Sequence, residues 1–282
     1  MTNDATDRVR QDWDSQANKW YERREPIFAA SLPIHEWLIQ KLDPKPGERI
    51  LEIAAGPGDT GFLAAQRLRN GRLVSTDLSA SMVDAARMRG KELGITNVEY
   101  RTLDAQAMDL PDASFDGAIC RWGFMLMPDP TAAFRECRRV LVPGGRLVLA
   151  VFTGPDRNPF ASIPARMLVE MGYLPPPSGG WQPGILALAD RAKLHSLMTD
   201  AGFTSIEVEP VAMTWTFASL DEYWAFLVDV TALGPLVRAL PEDARIRFRA
   251  TLGERLAPFA SASGIALPSE CWGASALRDG RQ

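Results

Sequence analysis

The sequence predicts an α/β fold, a doubly wound and mostly parallel sheet wrapped by helices, and three observations carry that reading. The apolar run Ile50 to Ala55 reads as a buried parallel strand holding a single carboxylate, Glu52. It breaks at once into Gly56-Pro57-Gly58-Asp59-Thr60-Gly61 and then Phe62-Leu63-Ala64-Ala65, a glycine turn that opens a helix. Short apolar strands then keep alternating with helices as far as Phe152, which is the pattern of strand–helix–strand crossovers.

In chain order, residues 8 to 42 read as two or three helices. Trp13, Ala17, Trp20 and Tyr21, and then Ile34, Trp37, Leu38 and Leu42, form stripes at three- to four-residue spacing. Asp43-Pro44-Lys45-Pro46-Gly47 breaks the chain before the first strand. The helix after the glycine turn is expected to reach Leu68 and to end at Asn70-Gly71. Arg72 to Asp77 is a second strand finishing in an aspartate, and Ser79 or Ser81 can cap a helix from Met82 to Leu93. Val98 to Arg101 and Phe115 to Cys120 are the third and fourth strands, and Thr131 to Leu141 is the next helix. Pro143-Gly144-Gly145 then turns the chain into a fifth strand, Arg146 to Phe152.

Beyond Phe152 the texture becomes proline-rich, from Pro155 to Pro183, around one helix over Phe160 to Met171. Helices are expected over Leu188 to Ala201, Leu220 to Leu233 and Glu242 to Phe259, and strands over Ile206 to Phe217 and Leu267 to Leu277. This gives an N-terminal helical cap (1–45), a binding core (46–153) and a segment that completes the core (154–218). A helical lid insertion (219–262) and a last strand with its tail (263–282) follow.

Composition narrows the function. At 282 residues, 46% hydrophobic and 23% charged, the chain suits one large soluble domain. A net charge of -4 disfavours a nucleic-acid partner. Cys120, Cys137 and Cys271 are scattered and form neither a disulfide framework nor a metal cluster. No apolar leader and no bilayer-length apolar run occur, so a cytoplasmic protein without membrane insertion is expected. Nothing indicates a homo-oligomer.

Gly56, Gly58 and Gly61 match G-x-G-x-x-G, and Asp77 stands 19 residues beyond Gly58. That is the place of a ribose-binding acid in a nucleotide-binding unit. The spacing points to a nucleoside ligand, and leaves open a nicotinamide or an S-adenosylmethionine cofactor. Glu52 at the strand end suits a cationic ligand better than a pyrophosphate. Asp104 in Leu103-Asp104-Ala105-Gln106 offers a further carboxylate, and Arg139-Val140-Leu141-Val142-Pro143-Gly144-Gly145-Arg146 leads into the fifth strand.

With these four elements in order, the chain resembles the class I S-adenosylmethionine-dependent methyltransferases, in the broad group of the ubiquinone/menaquinone-biosynthesis enzymes. The resemblance covers residues 46 to 153 most strongly. It implies a Rossmann-like, seven-stranded sheet with the last strand antiparallel, for which Leu267 to Leu277 is the candidate. It also implies that Glu52, Ala54, Ala55, Gly56, Pro57 and Gly58 wrap the methionine part of the cofactor. Asp77 would take the ribose hydroxyls, with Leu78 and Met82 beside the adenine. Asp104 would accept from the adenine amino group, with Ala105 and Gln106 adjoining, and Arg121 and Trp122 would edge the transfer site. Ala54 departs from the family's usual glycine, which a negative φ would accommodate.

The implied activity is direct methyl transfer to a small, mostly apolar or aromatic metabolite at O, N or C, without a metal. Phe124, Met125 and Trp181 are candidates for the acceptor pocket, and His35 and Tyr21 for a base. Two other readings stand beside it: a methyltransferase fold that binds the cofactor for other chemistry or a partner role, and an NAD(P)-dependent oxidoreductase.

Overall fold

The computed structural model describes residues 2–176 and 181–280. Two helices come first, α1 (Thr2–Glu22) and α2 (Arg24–Leu42). The core follows as β1 (Arg49–Glu52), α3 (Asp59–Ala65), β2 (Arg72–Asp77), α4 (Ala80–Glu92), β3 (Val98–Thr102), β4 (Phe115–Arg121), α5 (Pro130–Val140) and β5 (Leu141–Phe152). The remainder is α6 (Pro159–Glu170), α7 (Arg191–Asp200), β6 (Phe203–Phe217), α8 (Leu220–Val230), α9 (Gly234–Ala239), α10 (Glu242–Leu256), β7 (Ala260–Ser261) and β8 (Gly264–Arg278).

The strands form one sheet in the order β3-β2-β1-β4-β5-β8-β6, with the two-residue β7 beside β8. Strands β1 to β5 pair in parallel, and β8 runs antiparallel between β5 and β6. The expected doubly wound sheet with an antiparallel last strand is therefore present. Its order reverses between β1 and β4, and in open α/β sheets the ligand cleft lies past the carboxyl ends of such strands.

The core explains why these segments are strands. Ile50, Leu51, Leu73, Phe115, Ala118, Ile119, Leu147, Val148 and Leu149 are fully buried, because helices cover both faces of the sheet. On α2, Ile34, Leu38 and Leu42 form the buried stripe that the sequence spacing predicts. Ser79 is the cap of α4, accepting from Met82 N–H, and Asp129 caps α5 ahead of Pro130.

Several elements differ from expectation at their ends, such as α3 stopping at Ala65 rather than Leu68 and α7 starting at Arg191 rather than Leu188, and two differ more deeply. β5 begins at Leu141, because its pairing with β4 resumes at Gly117↔Arg146 after Phe115↔Leu141, and Pro143 to Gly145 bulges out between the two. The helix expected from Leu220 to Leu233 divides into α8 and α9. Thr231 Oγ1 donates to Leu227 O and accepts from Leu233 N–H, and a Cβ at Gly234 would run into Val228. Helices α8 to α10 connect β6 to β8, with α8 against α1 and α10 against α6. Tyr223 fixes α8 to the start of α6 through a buried hydroxyl donated to Phe160 O at 2.7 Å. Tyr223→Phe leaves that carbonyl unpaired and is expected to cost about 1–2 kcal/mol. A denaturation midpoint equal to wild type would remove the bond from the account.

Candidate active site

The glycine turn is held at each residue. Ile53 has left the sheet but still donates to Ile119 O at 2.9 Å, and Ala55 N–H donates to Thr76 O at 2.9 Å. Gly56 lies at φ +54 and donates its N–H to Asp77 Oδ2 at 2.9 Å. A Cβ at Gly56 would meet nothing within 4 Å, so the turn opens onto free space. Gly58 N–H closes the turn on Ala55 O, and Pro57 lies between them. Ala54 corrects an expectation. Its φ is +51, the left-handed region where a side chain costs about 1 kcal/mol relative to glycine.

Glu52 lies beneath the turn. Its Oε1 accepts Gly61 N–H at 2.6 Å and its Oε2 accepts Ser75 Oγ at 2.8 Å. Burial raises its pKa to about 8, against the pull of these donors and of Arg121. At neutral pH it is a buried acid that braces the turn, which corrects the expected anion facing a cationic ligand. The folded state therefore holds this proton more tightly than the unfolded chain, whose Glu ionises near 4.5. The stabilisation is complete below that value and is lost as pH rises toward 8. Glu52→Gln should flatten the decline by ~1–4 kcal/mol between those limits. Parallel stability curves for the two proteins would reject this.

The acidic end of the site is more enclosed than expected. Asp77 accepts Gly56 N–H on one oxygen and Ser79 N–H on the other, both at 2.9 Å. Helix α1 lies over it, because Asp14 Oδ1 accepts Ser79 Oγ at 2.6 Å and Ser81 N–H at 3.2 Å. Burial raises the Asp77 pKa to about 6, and Asp14 adds to the rise. Leu78 is half-buried and Met82 buried on the same side. Asp104 Oδ1 accepts from both nitrogens of Gln106, whose Nε2 also reaches Thr6 Oγ1 on α1 at 3.3 Å. Ala105 is buried between them in sequence. Asp14 and Thr6 were not foreseen, since a polar residue on an amphipathic helix carries no sign of what it will face.

Past β4 the chain turns sharply. Trp122 lies at φ +63, a genuine outlier for so large a residue, while its N–H donates to Ala150 O at 2.8 Å. Gly123 packs under the turn, since a Cβ there would stand 2.7 Å from Ala54 Cβ. The Trp122 ring stacks on Phe152 at 4.7 Å. Phe152 meets Phe160 at 5.3 Å, Phe160 meets Trp215 at 5.1 Å, and Trp215 returns to Trp122 at 6.0 Å. These four rings close a circuit beside the turn. Trp215 escaped the sequence reading, although the alternation Met213, Trp215, Phe217 on β6 marks the buried face.

The two candidate bases are corrected. His35 is fully buried. Ser31 Oγ donates to Ile27 O at 2.7 Å, so it accepts from His35 Nε2–H at 3.1 Å. His35 Nδ1 then accepts Thr60 Oγ1–H at 3.0 Å, and Thr60 Oγ1 in turn accepts Arg121 Nε–H at 3.2 Å. Burial, with Arg121 nearby, drops the imidazole pKa to about 2. His35 is a neutral relay that orients Arg121 and has no nitrogen free for a substrate proton. Tyr21 donates its hydroxyl to Glu92, which raises its pKa, so it is not poised to take a proton.

Of the residues expected in the acceptor pocket, Phe124 stacks on Phe134 of α5 at 4.2 Å and is core. Met125 is buried and its carbonyl accepts Gly184 N–H. Trp181 donates to Met127 O at 3.0 Å, with Lys193 over its ring at 4.5 Å, and so seats its segment against α7. Among the described residues no group of His, Cys, Asp or Glu is placed to hold a metal ion, and no helix is long and apolar enough to cross a membrane.

Comparison with known proteins matches residues 50–145 to the methyltransferase domain family. The ubiquinone/menaquinone biosynthesis C-methyltransferase UbiE of Cronobacter sakazakii is 31% identical over 170 residues, covering 57% of this chain and 68% of that protein. Two solved structures share the fold. The YcgJ protein of Bacillus subtilis aligns at a TM-score of 0.61 with 18% identity, over 87% of this chain and 97% of its own. The cyclase SpnF aligns at 0.56 with 20% identity, over 88% and 80%. At such identities the two structures speak for the fold alone.

Proposed function

Since the chain belongs to the class I S-adenosylmethionine-dependent methyltransferases, we propose that it methylates a small, planar, mostly apolar aromatic metabolite in the aromatic circuit beside the glycine turn. The observation that carries this is Trp122, held at φ +63 and closed into a ring of four aromatics with Phe152, Phe160 and Trp215. Aromatic walls favour a flat, apolar acceptor. The relative from Cronobacter sakazakii, by its name a C-methyltransferase of quinone biosynthesis, supports a hydroxylated ring as the first class to test.

The residues fit the cofactor. Gly56 opens onto free space, and Asp77 uses one lone-pair site on each oxygen, leaving the others for a diol. Asp77 would hold the ribose, Ala54 to Gly58 the methionine part, and Asp104, Leu78 and Met82 the adenine side. When bound, S-adenosylmethionine supplies a methyl group that passes to the acceptor as the carbon–sulfur bond breaks and its electron pair stays on sulfur. The chain's own contribution is placement and exclusion of water: the turn and the aromatic circuit would hold the reactants in line, with α1 covering the Asp77 side and Phe226 of α8 packed on Trp215. No described side chain on the aromatic circuit is a base, which suits an acceptor already ionised at one oxygen.

Incubation with S-adenosylmethionine and a panel of hydroxylated arenes and quinols, read by mass spectrometry, should show gain of one methyl. Binding of S-adenosylhomocysteine without turnover on any ring would instead favour cofactor-dependent chemistry of another kind.

A further inference from the structure

Of the buried polar side-chain atoms without a partner among the described residues, two belong to residues against the Trp122 ring: Arg121 Nη1 and Trp215 Nε1. Native interiors leave few such groups unpaired, and a ligand is one of the partners that satisfies them. Both belong to residues that touch the same ring. The Arg121 guanidinium lies 4.3 Å from the Trp122 ring, and the Trp215 ring lies 6.0 Å from it. The third polar group there needs nothing more, since Trp122 Nε1–H already reaches Cys271 Sγ at 3.2 Å.

Arg121 is also fixed from its other side. Its Nε is fixed by Thr60, Thr60 by His35, and His35 by Ser31, a buried chain that spans α2, α3 and the end of β4. Asp59 lies near enough to favour its charge, yet makes no hydrogen bond to it among the described contacts. The guanidinium is therefore a cation beside Asp59 and Glu52 whose buried Nη1 has neither of its N–H groups paired among the described residues. Such a group discriminates an oxyanion from a neutral oxygen, because a charge-assisted bond in a dry site is far stronger than a neutral one.

We propose that Arg121 and Trp215 form the acceptor-recognition pair: Arg121 Nη1 binds an ionised ring oxygen, a phenolate or enolate, and the Trp215 indole N–H binds an oxygen of the same planar acceptor. This inference rests on the reading under Proposed function, and it narrows that reading to rings bearing an ionisable oxygen. Holding the ring as its anion leaves electron density on the oxygen and the adjoining carbons, so the chain needs no base of its own for activation.

Two probes test it, 4-nitrophenol, at a pH where it is ionised, and 4-nitroanisole, which cannot ionise. Calorimetry uses the full chain saturated with S-adenosylhomocysteine. Wild type should prefer the phenolate by about tenfold or more. Arg121→Gln should bring the preference to within about threefold, Arg121→Lys should restore part of it, and Trp215→Phe should weaken the phenolate about three- to tenfold. A merely structural Arg121 would weaken both probes together and leave their ratio unchanged, and that result overturns the proposal. So does an Arg121→Gln variant that loses S-adenosylhomocysteine affinity but keeps the preference, which would assign the guanidinium to the cofactor carboxylate. If wild type methylates hydroxylated rings and the preference survives in Arg121→Gln, this inference alone fails. If wild type methylates none of them, the acceptor reading fails with it.

Discussion

Asp77→Ala lowers the affinity for S-adenosylhomocysteine at least tenfold, and two losses combine to produce that result. The first is direct: the carboxylate would accept from both ribose hydroxyls, and charge-assisted bonds of this kind are worth about 1.5–3 kcal/mol each. The second is indirect. Gly56 N–H and Ser79 N–H both end on Asp77, so its removal frees the glycine turn from the end of β2 and leaves two amides unpaired. Asp77→Asn keeps one oxygen and should lie between alanine and wild type. The same carboxyl gives a pH signature. Burial holds its pKa near 6, above the ordinary 3.8, and the protonated form is the weaker acceptor. Affinity should therefore fall as pH drops through about 6, and Asp14→Ala should move that inflection downward, because Asp14 adds to the rise. Calorimetry across that range tests all three variants. An unchanged dissociation constant in Asp77→Ala would take this residue out of the site.

The sequence made one part of this site plain and hid another. Asp77 was legible because a fixed backbone path, strand–turn–helix–strand, ties the glycine turn to the second strand end at a set distance. The sheet was legible for a similar reason, since strands buried on both faces read as apolar runs. Arg121 and Trp122 were expected at the transfer site because they stand at and just past the end of a strand that points at the cleft. What stayed hidden depends on side chains from distant segments meeting. Ser31 and His35 are one helical turn apart, but nothing in α2 says that Thr60 and Arg121 complete their chain, and so His35 read as a base. Glu52 read as a buried anion facing a cationic ligand because a carboxylate at a strand end gives no sign that Gly61 N–H and Ser75 Oγ will take both its oxygens. The Ala54 backbone was misjudged for another reason: alanine in place of glycine argues for a right-handed conformation, and tertiary contacts with the Trp122-Gly123 corner override that preference.

Gly61→Ala is expected to lower the melting temperature by about 10 °C. Gly61 lies inside α3, where alanine would normally be the better helix former by about 1 kcal/mol. Propensity therefore predicts stabilisation, and packing predicts the reverse. A Cβ at this position would stand 2.5 Å from the Glu52 carboxyl carbon, closer still to Oε2, and 2.8 Å from Leu73 Cδ2. Neither neighbour can move aside. Glu52 Oε1 is tied to the Gly61 amide itself and Oε2 to Ser75, while Leu73 is fully buried on β2. Relief requires α3 to shift away from the sheet, which stretches the Gly61–Glu52 bond and leaves a buried carboxyl group with an unfilled acceptor. Overpacking of 1–3 kcal/mol and a lost buried hydrogen bond of similar size together give about 3–5 kcal/mol. Because α3 opens directly from the glycine turn, the same displacement tilts the amides that face the cofactor, so S-adenosylhomocysteine affinity should fall along with the melting temperature. The double variant Gly61→Ala with Glu52→Ala separates the causes, since it vacates the space the new methyl needs. Recovery of half or more of the lost stability would identify the collision with Glu52 as the source. A single variant as stable as wild type would show that α3 can slide on the sheet, and that the buried carboxyl does not fix the turn.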